Sequence, residues 1–263
     1  MITIAIANQK GGVGKTTTTV NLSAALARER RRVLIVDLDP QATATQWLTS
    51  GYGERGRVVY DLLTRRAKIR ECVVSARDRV DLVPSDLFLS AIDLEMQAEL
   101  GKEHRLARAL DEVTDDYDYC LIDSPPWLAL ATMNALTASS VCLIPIDCRP
   151  EAFLAMPPLF RVLQSIREEF GRVIRVIALP TFYERKTNVS RDMLEMIEAE
   201  FEGSALSPIS KSTKLPGAFM DKKTIFEFDP TGSGTVDYLR TAKELCDALE
   251  PREAQRSRRT SGE

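Results

Sequence analysis

Histidine is almost missing from this 263-residue chain: His104 is the single copy. A serine–histidine–carboxylate triad or a multi-histidine metal centre therefore has no raw material. His104 sits in Lys102-Glu103-His104-Arg105, a stretch that reads as charged, solvated surface. Cysteine is sparse as well, with Cys72, Cys120, Cys142, Cys148 and Cys246 odd in number, scattered, and without a Cys-x-x-Cys pair. That excludes a disulfide framework or a zinc ribbon and points to a reducing cytoplasm. Cys120, Cys142 and Cys246 lie in apolar runs, where a thiol acts as a small hydrophobe. No run approaches the roughly 20 apolar residues that span a bilayer. Met1-Ile2-Thr3-Ile4-Ala5-Ile6 has no basic region ahead of it, so it reads as a strand and not as a signal peptide. Neither sign of charge dominates, because 35 Lys and Arg face 38 Asp and Glu for a net −3. Any attraction to nucleic acid must come from a local patch. Linkers and fixed-period repeats are lacking too, and 44% hydrophobic with 28% charged residues is an ordinary globular balance.

What is present is an alternation. Apolar, β-branched runs of strand length fall at 2–7, 32–37, 80–84, 118–123, 140–146 and 173–179, with helical periods at 16–30, 104–114, 128–138, 151–170, 188–201 and 233–249. Near-continuous runs such as Val33-Leu34-Ile35-Val36 suit strands buried on both faces of a parallel sheet. The expectation is one α/β domain over residues 1–250: a doubly wound, mostly parallel sheet with helices on both faces. Residues 251–263 contain no large apolar residue and read as a disordered polar tail.

The first strand runs into Lys10-Gly11-Gly12-Val13-Gly14-Lys15-Thr16-Thr17, and a helix follows. Glycines let successive N–H groups turn inward around a polyphosphate, and a helix N-terminus adds its positive end. Lys15 supplies a point charge for the terminal phosphates, and the Thr16 hydroxyl is placed for Mg²⁺. Two acidic strand ends, Asp37-Leu38-Asp39-Pro40-Gln41 and Asp123-Ser124-Pro125-Pro126, fall on the same edge of the sheet. Capping or turn roles are the ordinary use of Asp37 and Asp39; beside the loop, a site role reads better. With no histidine available, oxygen ligands make Mg²⁺ the natural metal.

These segments resemble the deviant phosphate-loop ATPases, and Asp-x-Asp-Pro-Gln resembles the ParA/Soj partition branch. Leu179-Pro180-Thr181-Phe182-Tyr183 and Ile225-Phe226-Glu227-Phe228-Asp229-Pro230 are similar to later family segments, so the resemblance covers about residues 1–250. It implies a P-loop NTPase fold, ATP and Mg²⁺ as cofactors, and Lys10 through Thr17 as the nucleotide-binding loop. Lys10 would reach the partner's nucleotide in an ATP-sandwich homodimer. Thr16, Asp37 and Asp123 would serve the metal, and Asp39 would orient or activate the attacking water. The ATP dimer would bind nucleoid DNA without sequence preference. A ParB-like adaptor would trigger hydrolysis and release, positioning a plasmid, chromosome or protein cargo. With no extension before its first strand, the chain is similar to the short class without a helix-turn-helix domain.

Lys211, Lys214, Lys222 and Lys223 form the candidate DNA patch, with Asp221 the one acid between them; by itself the patch reads equally as a solvated face. Two alternatives stand beside partition. A MinD-like membrane ATPase needs a basic amphipathic C-terminal helix with a bulky apolar face, which the tail lacks. An ATPase resembling the nitrogenase iron protein needs a cysteine placed to share a cluster. Two departures from the family pattern concern Ile209-Ser210-Lys211-Ser212 and Asp147, where many relatives carry Gln.

Overall fold

The computed structural model describes residues 1–49 and 56–250; the tail expected at 251–263 lies outside them. The first half is β1 (Ile2–Ile6), α1 (Lys15–Arg28), β2 (Val33–Asp37), α2 (Thr43–Leu48), α3 (Val59–Leu63), α4 (Ile69–Cys72), β3 (Val74–Arg77) and β4 (Val80–Val83). There follow α5 (Ile92–Glu95), α6 (Arg105–Asp111), β5 (Tyr119–Asp123), α7 (Leu130–Ala138), β6 (Val141–Asp147), α8 (Pro157–Phe170) and β7 (Arg175–Thr181). The chain ends in α9 (Asn188–Glu200), α10 (Lys214–Met220), α11 (Ile225–Phe228) and α12 (Ser233–Leu249).

Among the described residues the strands form one sheet of order β3-β4-β2-β5-β1-β6-β7. All neighbours are parallel except the β3–β4 edge pair. Strand alternation divides the core in two. Ile4, Ile35, Leu121 and Leu143 face α1, α2, α11 and α12. Ala5, Val36, Ile122 and Ile144 face α3, α6, α7, α8 and α9. Burial on both faces is why the strand sequences are apolar throughout.

Because the sheet is parallel, its carboxyl ends share one edge, and four neighbours carry chemistry there. In register, Asp123 of β5 sits opposite both Ile6 of β1 and Asp37 of β2. Asp147 ends β6 on the other side of β1. The order reverses around β1, which is where open α/β sheets bind ligands. No helix among the described residues is long and apolar enough to cross a membrane.

Candidate active site

The loop after β1 is pinned from below and left open above. Asn8 donates from Nδ2 to the Pro145 carbonyl at 2.8 Å and accepts from Lys10 N at 2.9 Å. Val13 is buried, and its carbonyl accepts from Thr181 Oγ1 of β7 at 3.0 Å. Gly12 and Gly14 have φ of 73° and 93°, the left-handed region where a side chain is strained. Lys15 begins α1 and is buried, its Nζ donating to the Lys10 carbonyl at 3.3 Å. Burial lowers its pKa, against the pull of Asp123 and Asp39. A cation so held would interact strongly with an anion brought to the loop, because its setting has a low dielectric.

The carboxylates divide the labour. Asp37 is fully buried, and its Oδ2 accepts from Thr45 N at 2.9 Å and Thr45 Oγ1 at 2.7 Å. Its Oδ1 accepts from Asp39 N at 3.1 Å, so Asp37 organises the turn that carries Asp39. In that turn Asp39 Oδ1 accepts from Gln41 N at 2.9 Å, and Ala42 adopts φ of 53°. A non-glycine residue held left-handed marks a turn that its surroundings over-determine.

Asp123 is different. Its Oδ1 accepts from Thr19 Oγ1 at 3.2 Å, whereas Oδ2 is buried with no hydrogen-bond partner among the described residues. Burial raises its pKa well above the carboxylate range; Asp37 and Asp39 push the same way, while Thr16 and Lys15 oppose them. An orphaned, desolvated carboxylate oxygen beside the Thr16 hydroxyl is what a hard divalent cation satisfies. No group of three or more His, Cys, Asp or Glu among the described residues could hold a metal by itself. The rest of a Mg²⁺ shell here must be phosphate and water oxygens, and the residues present fit that ion.

Lys10 is held within its own chain. Its Nζ lies 3.3 Å from Asp147 Oδ2, and Arg149 Nη2 lies 2.6 Å from the same oxygen. Burial pushes Asp147 upward, but Arg149 and Lys10 together keep it below the usual carboxylate range. The departure from Gln at position 147 thus has a visible consequence: it gives the loop lysine an anion in cis.

Beside Gly14, Thr16 and Thr17 lies a cavity of about 260 Å³ that sequence reasoning did not find. Trp47, Phe182, Leu215, Phe219 and Tyr238 supply an apolar wall, with Thr181, Ser210 and Ser212 as hydroxyl donors and acceptors. Phe182 has φ of 53°, and Tyr183 N donates to the Ile209 carbonyl at 3.0 Å, tying that strand end to the 205–211 segment. The aromatic run Phe182-Tyr183 was a signal in the sequence; its left-handed placement over the loop was not.

The four candidate DNA lysines are exposed but unequal. Lys211 pairs with Glu184 at 2.7 Å and Lys223 with Asp221 at 3.7 Å. Lys222 donates to the Thr49 carbonyl at 3.3 Å. Glu184, distant in sequence, joins the patch only in the fold. His104 also differs from expectation, packing its ring edge-on against Phe170 at 4.7 Å.

A family profile described as an AAA domain matches residues 1–176. The sporulation initiation inhibitor protein Soj of Bacillus subtilis is 36% identical over 246 residues, covering 92% of this chain and 97% of its own. The chromosome partitioning protein ParA of Caulobacter vibrioides is 31% identical over 257 residues, 96% of each chain. Among solved structures, that of cobyrinic acid a,c-diamide synthase from Mycobacterium smegmatis, with bound ATP analog and magnesium, superposes with a TM-score of 0.84. It is 29% identical over 96% of this chain and 97% of that one.

Proposed function

Because the chain belongs to the family of the Soj and ParA partitioning proteins, we propose that it is a Mg²⁺-dependent ATPase switching between monomer and ATP-sandwich dimer. The dimer binds nucleoid DNA without sequence preference. A ParB-like adaptor stimulates hydrolysis and releases it, so that a plasmid, chromosome or protein cargo is segregated or positioned. The observation that carries this reading is the orphaned Asp123 oxygen facing the same loop as buried Lys15 and the Thr16 hydroxyl.

In this reading Lys10 through Thr17 wrap the phosphates, and Lys15 holds the terminal one. Thr16 and Asp123 would hold Mg²⁺, with Asp37 fixing the turn next to them. Held there, Mg²⁺ would supply charge neutralisation for the phosphate oxygens. Asp39 has Oδ2 without a hydrogen-bond partner among the described residues, and it orients the attacking water and accepts its proton. The apolar cavity takes the nucleoside, with Trp47 and Phe182 excluding water from its base. Lys10 leaves Asp147 to reach the partner's nucleotide, so dimerisation exchanges a cis carboxylate for a phosphate in trans.

Two substitutions test this. Lys15→Ala removes the charge at the centre of the loop, and ATP binding measured by calorimetry should fall at least ~100-fold, the scale of about 3 kcal/mol for a buried charged hydrogen bond. Asp39→Ala should keep ATP-dependent dimers in light scattering while turnover drops on the order of 10²-fold or more. Parental turnover in Asp39→Ala, or a wild-type chain that remains monomeric with saturating ATP and Mg²⁺, overturns the assignment.

A further inference from the structure

Arg105 belongs to the stretch the sequence presents as solvated, yet its side chain is 5% exposed. Nη2 donates to Glu99 Oε2 at 2.6 Å. Nε and Nη1 are buried with no acceptor among the described residues. A buried guanidinium with one partner is short of negative charge and of acceptors.

Arg105 lines a cavity of about 380 Å³ between the α3–α4 turn and α6, on the α3 side of the sheet and built from none of the loop residues. Arg65, Arg66, Lys68 and Arg108 share its wall, against two carboxylates, Glu71 and Glu112. Glu71 is occupied, accepting from Lys68 N at 2.7 Å. Arg66 is engaged by Glu95 at 2.7 Å. Arg65, Lys68 and Arg108 make no ion pair among the described residues. Arg65 is also held at φ of 61°, a left-handed turn closed by Arg66 N donating to the Asp61 carbonyl at 2.8 Å. This is the left-handed cap that ends α3, and it fixes where the Arg65 side chain leaves the helix. Leu62, Ala67 and Ala109 give the cavity an apolar floor.

We propose that this cavity is a second anion site, independent of the phosphate loop, for a small molecule bearing a diphosphate or triphosphate. Guanidinium forks match phosphate oxygens in pairs, which single-point ammonium groups do not. Five cationic side chains against Glu71 and Glu112 leave the wall net positive even with Arg66 and Arg105 engaged by Glu95 and Glu99, and the two unsatisfied N–H positions of Arg105 call for an anion with several acceptor oxygens. A concave volume in the range of small-ligand pockets fits a metabolite better than an extended duplex.

The test uses the full chain carrying Lys15→Ala, so that the phosphate loop cannot account for binding, and inorganic pyrophosphate as the probe. Calorimetry should give saturable binding at one site per chain, and the unfolding midpoint should rise by about 2–4 °C near saturation. Adding Arg65→Ala and Arg108→Ala, both exposed positions, should weaken pyrophosphate at least ~10-fold, the scale of one charged hydrogen bond. Their ligand-free midpoint should stay within ~2 °C of the parent, as surface substitutions do. The proposal is overturned by absence of saturable binding, by affinity indifferent to the two arginines, or by sodium chloride of equal ionic strength reproducing the shift. Binding of duplex DNA without binding of pyrophosphate also overturns it, making this face a nucleic-acid surface.

Discussion

At the end of β5, Asp123 keeps an ionisable carboxyl out of water with one oxygen unpartnered. Its folded pKa is raised, first by burial and then by Asp37. Its ionisation in the ligand-free protein therefore opposes folding. The sign follows from linkage: below the ordinary carboxylate value of about 4 both states are protonated and no penalty exists. As pH rises, the unfolded chain ionises first and stability is lost. Asp123→Asn should accordingly raise the ligand-free unfolding midpoint at pH 7 by at least ~2 °C, an advantage that shrinks to nothing near pH 4. The same protein should lose turnover and the added stability that Mg²⁺ with ATP gives the parent. Scanning calorimetry at pH 4, 5.5 and 7 checks this; a variant less stable than the parent at pH 7 shows that the carboxylate is already compensated. Site residues commonly cost stability in exchange for function.

Helix α1 shows why single residues cannot be read apart from their element. Thr18, Thr19, Asn21 and Ser23 are buried in it, so it lacks the amphipathic stripe of a surface helix. Asn21 is satisfied on both sides: it donates from Nδ2 to the Thr17 carbonyl at 2.8 Å and accepts from Ile225 N at 2.7 Å. That second bond fastens the phosphate-loop helix to α11. Asn21→Ala orphans the Ile225 N–H and should lower stability by about 1–2 kcal/mol, after a few tenths returned by alanine's helix propensity. The urea midpoint measures it, and a change below ~0.3 kcal/mol refutes the bond's importance. Elements with a long period or a strong apolar run were legible from sequence: β1, β2, β5, β6, α1 and α12 fall where expected. β3 was not, because Val-Ser-Ala-Arg is a four-residue antiparallel edge with no apolar run. Helix α8 begins at Pro157, preceded by a 3₁₀ turn over Pro150–Ala155, where periodicity suggests one continuous helix from 151.

For the molecule as a whole, a net charge of −3 leaves DNA attraction to local geometry. If the proposed DNA surface is formed by the four lysines, they should not contribute alike, since Lys211 and Lys223 are already paired with Glu184 and Asp221. Lys214, without an ion pair among the described residues, should matter most. Using Asp39→Ala protein held as the ATP dimer, Lys214→Ala should reduce the slope of log affinity against log salt by ~0.9 for each phosphate that is no longer neutralised. Lys223→Ala should change it by less than half of that. Fluorescence anisotropy across a salt series decides between them; equal slopes reject the ranking.

Chain order alone determined the glycine-rich loop between β1 and α1, the acidic strand ends and the doubly wound parallel sheet. Each is a contiguous pattern in which backbone turns, β-branched burial and helix initiation act over a few neighbours. Tertiary structure decided which oxygen of Asp123 stands alone and that Asp147 holds Lys10. It also decided that Phe182 and Trp47 line one cavity beside the loop, and that Arg105 is buried in a wall shared with four other cations. Those outcomes join residues separated by tens to hundreds of positions. Burial, pairing and electrostatic potential are properties of what surrounds a side chain in space, which no local pattern encodes.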